Sequence, residues 1–145
     1  MIREIFGEDT YLVAVEIFKK TARYLKNEHI YNRVVNLDIV SWCKDNTSYY
    51  DLAILGDVLE HLYNFDEVHY ILNRVLSHFD NIIIISPLGE EKQGAKYGNI
   101  YETHRLIFDD HFFDRYHIVE KNIKQVELPG NEKTKLYKIN LWIKK

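Results

Sequence analysis

Cysteine is nearly absent from this chain of 145 residues, which contains Cys43 alone. A single thiol cannot close an internal disulfide, so a reducing compartment such as the cytoplasm is expected. Because Cys43 follows Trp42, it is interpreted as a buried small hydrophobic residue rather than a nucleophile. Long apolar runs are missing too, since none approaches the roughly 20 residues that span a bilayer. No signal-peptide pattern is present either, and the sequence predicts a cytoplasmic protein without a membrane segment.

Positive charge is also scarce, because the net charge is -3 and the basic residues form no patch beyond Lys144 and Lys145. Proteins that bind nucleic acid usually carry a basic surface, so no nucleic-acid partner is expected. The seven histidines are scattered and lack the ligand spacing of a zinc site, so no metal is expected. Hydrophobic residues make up 46% of the chain, which is enough for the core of a single domain over residues 1–145.

Apolar periodicity divides the chain into strands and helices. Short runs rich in β-formers predict buried strands at residues 11–15, 33–39, 50–55 and 81–86. Helical spacing of apolar residues predicts helices at 19–27 and 65–79, and a shorter helix is predicted at 109–116. Two late strands are predicted at 117–128 and 135–144, separated by the turn signal Pro129-Gly130-Asn131. This order predicts an open α/β sheet, mostly parallel at first and closed by a C-terminal antiparallel hairpin.

The segment from Tyr50 to Leu62 carries the strongest functional signal. An apolar strand ends in Gly56 and Asp57 and is followed by the adjacent pair Glu60 and His61. Parallel strands deliver polar side chains to the crevice at their carboxyl ends, so this pair is a candidate catalytic site. Asp57 is expected either to contact a ligand or to cap a helix that begins at Val58.

His61 is the best candidate for a general base, because the unperturbed pKa of histidine lies near neutrality. Glu60 and His61 are adjacent and cannot share one helix face, so one is expected to face the cleft and the other solvent or a partner. The alternative for His61 is a hydrogen bond to the long loop at residues 89–105. That loop is interpreted either as a lid over the cleft or as a surface connection.

The order of the strands, with acids at their ends, resembles the class I S-adenosylmethionine-dependent methyltransferases. The stretch from Asp51 to His61 resembles the fourth strand of many members, and its string from Asp57 to Leu62 is moderately specific. The resemblance covers the chain from about Tyr11 onward and implies a three-layer Rossmann-like fold with S-adenosylmethionine as the cofactor. It also implies that the chain is a methyltransferase-like protein that acts on a small-molecule acceptor.

The resemblance assigns roles to individual residues. Glu16 matches the acid that binds the ribose hydroxyls, and Asp38, followed by Ile39, matches the acid near the adenine amino group. Gly56 and Asp57 complete the implied cofactor contacts. The long loop matches a substrate-side loop, and its implied substrate contacts are Gln93, Tyr97, Asn99, Glu102 and His104. The residues themselves leave two alternatives open: Glu16 as a solvated strand-end acid, and Asp38 as a local cap through Ser41.

The chain departs from the family pattern before Tyr11, where the usual first strand and its glycine-rich turn are missing and only Gly7 is present. The chain is therefore expected to be truncated relative to the family. A sheet without its central strand is expected to pair with a second copy or a protein partner. The alternative function is a non-catalytic protein of the same fold that serves as a subunit or regulator of a partner.

Overall fold

The computed structural model describes residues 2–89, 93–127 and 135–144. The chain divides into two compact units, Met1–Asn46 and Thr47–Lys145, and each is described by itself. In the described part of the chain, no helix is both long and apolar enough to cross a membrane.

The first unit contains a two-stranded parallel sheet and three helices. Strand β1 (Val13–Val15) pairs with β2 (Arg33–Val35), with Val13 opposite Arg33 and Val15 opposite Val35. The short sheet follows from the two β-branched runs in the sequence, which predicted both strands. The elements in chain order are α1 (Ile2–Phe6), β1 (Val13–Val15), α2 (Lys19–Asn27), β2 (Arg33–Val35) and α3 (Ile39–Asp45).

Helix α2 confirms the prediction for residues 19–27, whereas the predicted strand at 33–39 is wrong in its second half. The strand ends at Val35, and helix α3 begins at Ile39. Asp38 is the N-cap of α3, and its Oδ1 accepts a hydrogen bond from the Ser41 amide at 2.8 Å. The local capping interpretation of Asp38 is therefore confirmed, and this cap competes with an extended continuation of β2.

The second unit is built on a mixed four-stranded sheet. Its strands lie in the order β3 (Tyr50–Gly56), β4 (Phe79–Leu88), β6 (Lys135–Lys144) and β5 (Ile118–Glu127). Strands β3 and β4 are parallel, and β6 is antiparallel to both of its neighbours. The predicted antiparallel hairpin is confirmed, while its turn signal Pro129-Gly130-Asn131 lies outside the described residues. The elements are β3 (Tyr50–Gly56), α4 (Phe65–His78), β4 (Phe79–Leu88), β5 (Ile118–Glu127), β6 (Lys135–Lys144) and two 3₁₀ helices, Leu59–His61 and Ile100–Glu102.

The core of the second unit forms around the apolar stripe of α4, as its 3.6-residue spacing predicted. Apolar residues of α4, of β4, of the segment after the long loop and of the last four residues of β6 are almost inaccessible to solvent. The helix begins where the Asn64 side chain accepts a hydrogen bond from the Glu67 amide. Among the described residues, the most deeply buried apolar ones are Leu59, Val68, Ile71, Leu72, Ile82, Ile84, Phe108, Phe113, Leu141 and Ile143.

The predicted helix at residues 109–116 is wrong, because this segment forms consecutive turns. Asp109 Oδ1 accepts a hydrogen bond from the His111 amide at 2.9 Å, which favours a tight turn over a helical start. Phe112 and Phe113 then stack edge-on, with ring centroids 5.0 Å apart, and Phe113 is fully buried. Burial of these aromatic rings outweighs the weak helical tendency of so short a segment.

Candidate functional site

The site in the second unit begins where β3 ends. Gly56 is exposed, and a Cβ built on it would meet no atom within 4 Å. Asp57 then adopts a left-handed backbone with φ of 50°, and its amide donates to the Ile85 carbonyl at 2.8 Å. A positive φ at a residue other than glycine is a local strain that often marks a functional turn. The N-cap position of the following 3₁₀ helix is Val58, so the expectation that Asp57 caps it is wrong.

Glu60 is fully buried although it is an acid. Its Oε2 accepts a hydrogen bond from the Ser86 hydroxyl at 3.3 Å, within β4. Its backbone carbonyl accepts from the amides of Arg105 and Leu106, at 2.8 and 3.1 Å. Strand β4 and the end of the long loop therefore fix Glu60 in place. Of the two adjacent residues, His61 is the one that solvent reaches.

His61 is half-buried and lies beside Glu60, with Nε2 at 3.9 Å from Glu60 Oε1. Its Nδ1 is 3.1 Å from the Thr103 carbonyl, which confirms the alternative of a hydrogen bond to the long loop. Because a carbonyl can only accept, Nδ1 carries the proton, and in the neutral ring Nε2 bears the lone pair. Burial lowers the pKa of His61 below its ordinary value, and the contact with Thr103 opposes this shift. The neutral ring is therefore favoured at neutral pH.

The long loop folds back on itself through side-chain and backbone hydrogen bonds. Gln93 Nε2 donates to the Glu102 carbonyl at 2.8 Å, and the Gln93 carbonyl accepts from the His104 amide at 2.9 Å. Asn99 is buried and donates to Glu102 Oε1 at 3.1 Å, whereas Tyr97 is 98% exposed at the tip of a tight turn. Three of the implied substrate residues therefore hold the loop in its shape through hydrogen bonds within it, namely Gln93, Asn99 and Glu102.

The fold brings His104 to the Glu60–His61 pair. The rings of His61 and His104 meet edge-on with centroids 4.9 Å apart. One possible ligand atom from each of Glu60, His61 and His104 lies within 4.8 Å of the others. No spacing in the sequence shows this cluster, because the contact depends on the path of the long loop. Ser86, Thr103 and Arg105, which support it, also carry no sequence signal.

In the first unit, Glu16 and Asp38 both follow strands of the parallel sheet. Glu16 comes directly after β1, is half-buried, and accepts a hydrogen bond on Oε1 from the Phe18 amide at 2.7 Å. Asn36, which follows β2, donates to the Glu16 carbonyl at 2.8 Å. Asp38 and Ile39 are half-buried at the start of α3. These residues therefore follow the carboxyl ends of two parallel strands, where ligands bind in open α/β sheets.

No protein-family model matches the chain, and no curated protein matches it in sequence. Solved structures do resemble it. TehB from Haemophilus influenzae superposes with a TM-score of 0.70 at 14% identity, covering 94% of this chain and 50% of TehB. A SAM-dependent methyltransferase from Methanosarcina mazei gives a TM-score of 0.69 at 11% identity, covering 100% of this chain and 86% of that one.

A third structure holds the cofactor itself. Magnesium protoporphyrin IX methyltransferase ChlM from Synechocystis, solved with bound SAM, gives a TM-score of 0.54 at 11% identity, covering 92% of this chain and 60% of ChlM. These likenesses establish an α/β fold of the Rossmann-like type. More specifically, the chain has the fold of the class I S-adenosylmethionine-dependent methyltransferases, as the sequence resemblance implied. It spans half the length of TehB.

One feature of the first unit fits the ribose of S-adenosylmethionine. Glu16 places a carboxylate after β1, and carboxylates accept hydrogen bonds from vicinal hydroxyls such as those of ribose. Glu16 is also the residue that the resemblance assigned to the ribose hydroxyls.

Proposed function

We propose that this chain is an S-adenosylmethionine-binding, methyltransferase-like protein that acts on a small-molecule acceptor. The observation that carries the proposal is the fold, which the chain shares with a methyltransferase solved with bound SAM. The named acceptor of that methyltransferase is itself a small molecule, magnesium protoporphyrin IX.

Residues of the first unit would hold the nucleoside. We assign the carboxylate of Glu16 to the two ribose hydroxyls, because a charged acceptor forms stronger hydrogen bonds than a neutral one. Asp38 and Ile39 are assigned to the adenine. In the second unit, Gly56 and Asp57 keep their assignment as cofactor contacts, where the left-handed turn at Asp57 redirects the backbone after β3.

The pair Glu60 and His61 would prepare the acceptor. When bound, S-adenosylmethionine supplies an electrophilic methyl group on its sulfonium. His61 in its neutral form can take a proton from an oxygen or nitrogen nucleophile at Nε2, since Nδ1 is committed to the Thr103 carbonyl. Glu60 is buried beside that nitrogen and acts as a positioning residue.

The long loop would contact the acceptor. Tyr97 at its tip is exposed and can reach a ligand, and His104 lies against His61. Gln93, Asn99 and Glu102 would act mainly by holding the loop in shape, because the hydrogen bonds described above lie within the loop. We also propose that the chain associates with a second copy of itself or with a protein partner.

Calorimetry with S-adenosylhomocysteine tests the cofactor assignment. We expect measurable binding, and we expect Glu16→Gln to weaken it by about 1–3 kcal/mol through loss of a charge-assisted hydrogen bond. Glu8→Gln, an exposed acid of the same unit, is the matched control and should leave binding unchanged.

Two results would contradict the assignment. Tight binding that Glu16→Gln leaves untouched would show that the nucleoside lies elsewhere. No heat and no thermal shift at millimolar S-adenosylhomocysteine would favour the non-catalytic alternative, in which the chain is a subunit or regulator of a partner.

A further inference from the structure

We infer that Glu60, His61 and His104 form a binding site for a divalent transition-metal ion of the zinc type. The spacing of these residues in the sequence predicts no metal. The fold nevertheless brings one possible ligand atom of each within 4.8 Å of the other two. The site lies wholly within the second unit.

The donor set selects the class of metal. Two imidazole nitrogens and one carboxylate oxygen are a frequent catalytic zinc set, and imidazole also suits other late first-row ions. Magnesium and calcium prefer oxygen ligands, so they match this set less well. Ligand atoms about 2.0–2.1 Å from a tetrahedral ion are about 3.4 Å apart. His61 Nε2 and Glu60 Oε1 are 3.9 Å apart, close to that spacing, and the ligand atoms of all three residues lie within 4.8 Å of one another.

The groups around the donors are arranged as in metal sites. A histidine that binds a metal usually donates its second ring N–H to a carbonyl or carboxylate, which fixes its tautomer. His61 makes such a contact through Nδ1 with the Thr103 carbonyl, which leaves Nε2 as the ligand atom. Ligating carboxylates are in turn hydrogen-bonded, and Glu60 Oε2 accepts from the Ser86 hydroxyl. Both outer contacts are therefore present in the protein itself.

Solvent reaches the cluster through His61. The Glu60 side chain is 1% exposed, whereas that of His61 is 18% exposed. Catalytic metal sites keep one position accessible to water or substrate, and the partial exposure of His61 fits such a site. His104 is held in place through its own amide, which donates to the Gln93 carbonyl at 2.9 Å.

A bound ion would change how the acceptor is activated, a consequence that rests on the proposed function. The His61 Nε2 lone pair would then bind the metal and could not accept a proton. An acceptor hydroxyl coordinated to the ion would have a lowered pKa, and its proton would pass to solvent water. Metal binding itself does not depend on S-adenosylmethionine and can be measured without it.

The test is titration of the chelator-treated full chain with Zn²⁺ by calorimetry, together with the visible absorption of the Co²⁺ form. We expect one ion per chain and a Co²⁺ spectrum of low coordination number. His104→Gln should weaken Zn²⁺ binding at least about tenfold, and Glu60→Gln should do the same. His104 is half-buried and its backbone hydrogen bond survives substitution, so this variant should keep the fold, which circular dichroism checks.

His111→Gln is the matched control. His111 is exposed beside Asp110 and Asp114 and could bind zinc weakly at the surface, so its loss should leave the measured site unchanged. Wild-type protein that binds no Zn²⁺, or binding lost in His111→Gln but kept in His104→Gln, would overturn the proposal. Titration of the same metal-free protein with S-adenosylhomocysteine reports on the proposed function separately, because its nucleoside contacts are assigned to the first unit.

Discussion

Arg105 connects the loop that carries His104 to the segment that carries His61. Its Nη1 donates to the His61 carbonyl at 2.6 Å and lies 3.3 Å from the Thr103 carbonyl. Its guanidinium carbon lies 4.6 Å from the centre of the Tyr63 ring. The planar fork of arginine can make these contacts together, whereas the single ammonium of lysine cannot.

We expect Arg105→Lys to lower the free energy of unfolding by about 1–3 kcal/mol, because charge-assisted hydrogen bonds and the contact with Tyr63 are lost together. Urea denaturation of the full chain measures the change. Arg115→Lys is the control, since Arg115 stacks on Phe112 at 5.8 Å, and its effect should stay within about 0.5 kcal/mol. Equal stability of the two variants would show that Arg105 does not anchor the loop.

At the scale of residues, the sequence predicts which site residues meet when they are close together in the chain. It does not predict contacts between residues that only the fold brings together. Gly56, Asp57, Glu60 and His61 stand in one short string after an apolar strand, so their meeting at a strand end is readable. Thr103 lies 42 positions from its partner His61, and its carbonyl contact uses the backbone, which no residue type signals.

At the scale of elements, α3 shows where periodicity alone is insufficient. The apolar residues from Val34 to Ile39 suit a strand, yet Asp38 interrupts them and caps a helix. The sequence predicts a local cap at Asp38 as one of two alternatives. The choice between strand and helix, however, depends on what the following residues pack against. Cys43 of α3 is buried, as its position beside Trp42 predicted.

The Asp38 cap predicts a pH-dependent stability. Burial alone would raise the pKa of Asp38, but hydrogen bonds from the Ser41 amide and hydroxyl outweigh it and hold the pKa below its ordinary value. Because the pKa of Asp38 is lower in the folded state than in the unfolded state, the cap stabilises the fold above about pH 4. This stabilisation is lost as the pH falls through the pKa of Asp38 in the folded protein.

We therefore expect Asp38→Ala to cost about 1 kcal/mol at pH 7 and less at pH 3, measured by urea denaturation at both values. Asp45→Ala, an exposed acid in the last turn of α3, should be neutral or slightly stabilising, because a negative charge there opposes the helix dipole. A cost for Asp38→Ala that is the same at both pH values would assign the effect to packing instead of the charged cap.

At the scale of the whole molecule, an end strand in the sheet of the second unit predicts association. Strand β3 is the end strand of the four-stranded sheet, and its Ile54 is 43% exposed. We expect light scattering at high concentration to give a mass above the 17.4 kDa of one chain. Ile54→Lys should lower that mass, because lysine on an end strand opposes strand pairing. Tyr97→Lys, at an exposed loop tip, is the control, and a strict monomer in the wild type would contradict the prediction.

The two units differ in how much they bury, and this predicts unequal local stability. Among the described core residues, Ala22 and Cys43 belong to the first unit, while the second holds the stripe of α4 and the apolar strands β4 and β6. Segments with few buried apolar contacts open more readily, at a free energy below that of global unfolding.

We expect the amides of α2 to exchange with deuterium at least about tenfold faster than those of α4, after correction for intrinsic rates, which corresponds to about 1.4 kcal/mol of opening free energy. Mass spectrometry of the full chain measures both helices in one sample. S-adenosylhomocysteine should slow exchange around β1 and α3 if Glu16 and Asp38 hold the nucleoside, because a ligand that binds only the folded form stabilises it. Equal exchange in α2 and α4 would mean that the first unit is as stable as the second despite its smaller core. Slower exchange confined to the second unit on adding the ligand would place the nucleoside away from Glu16.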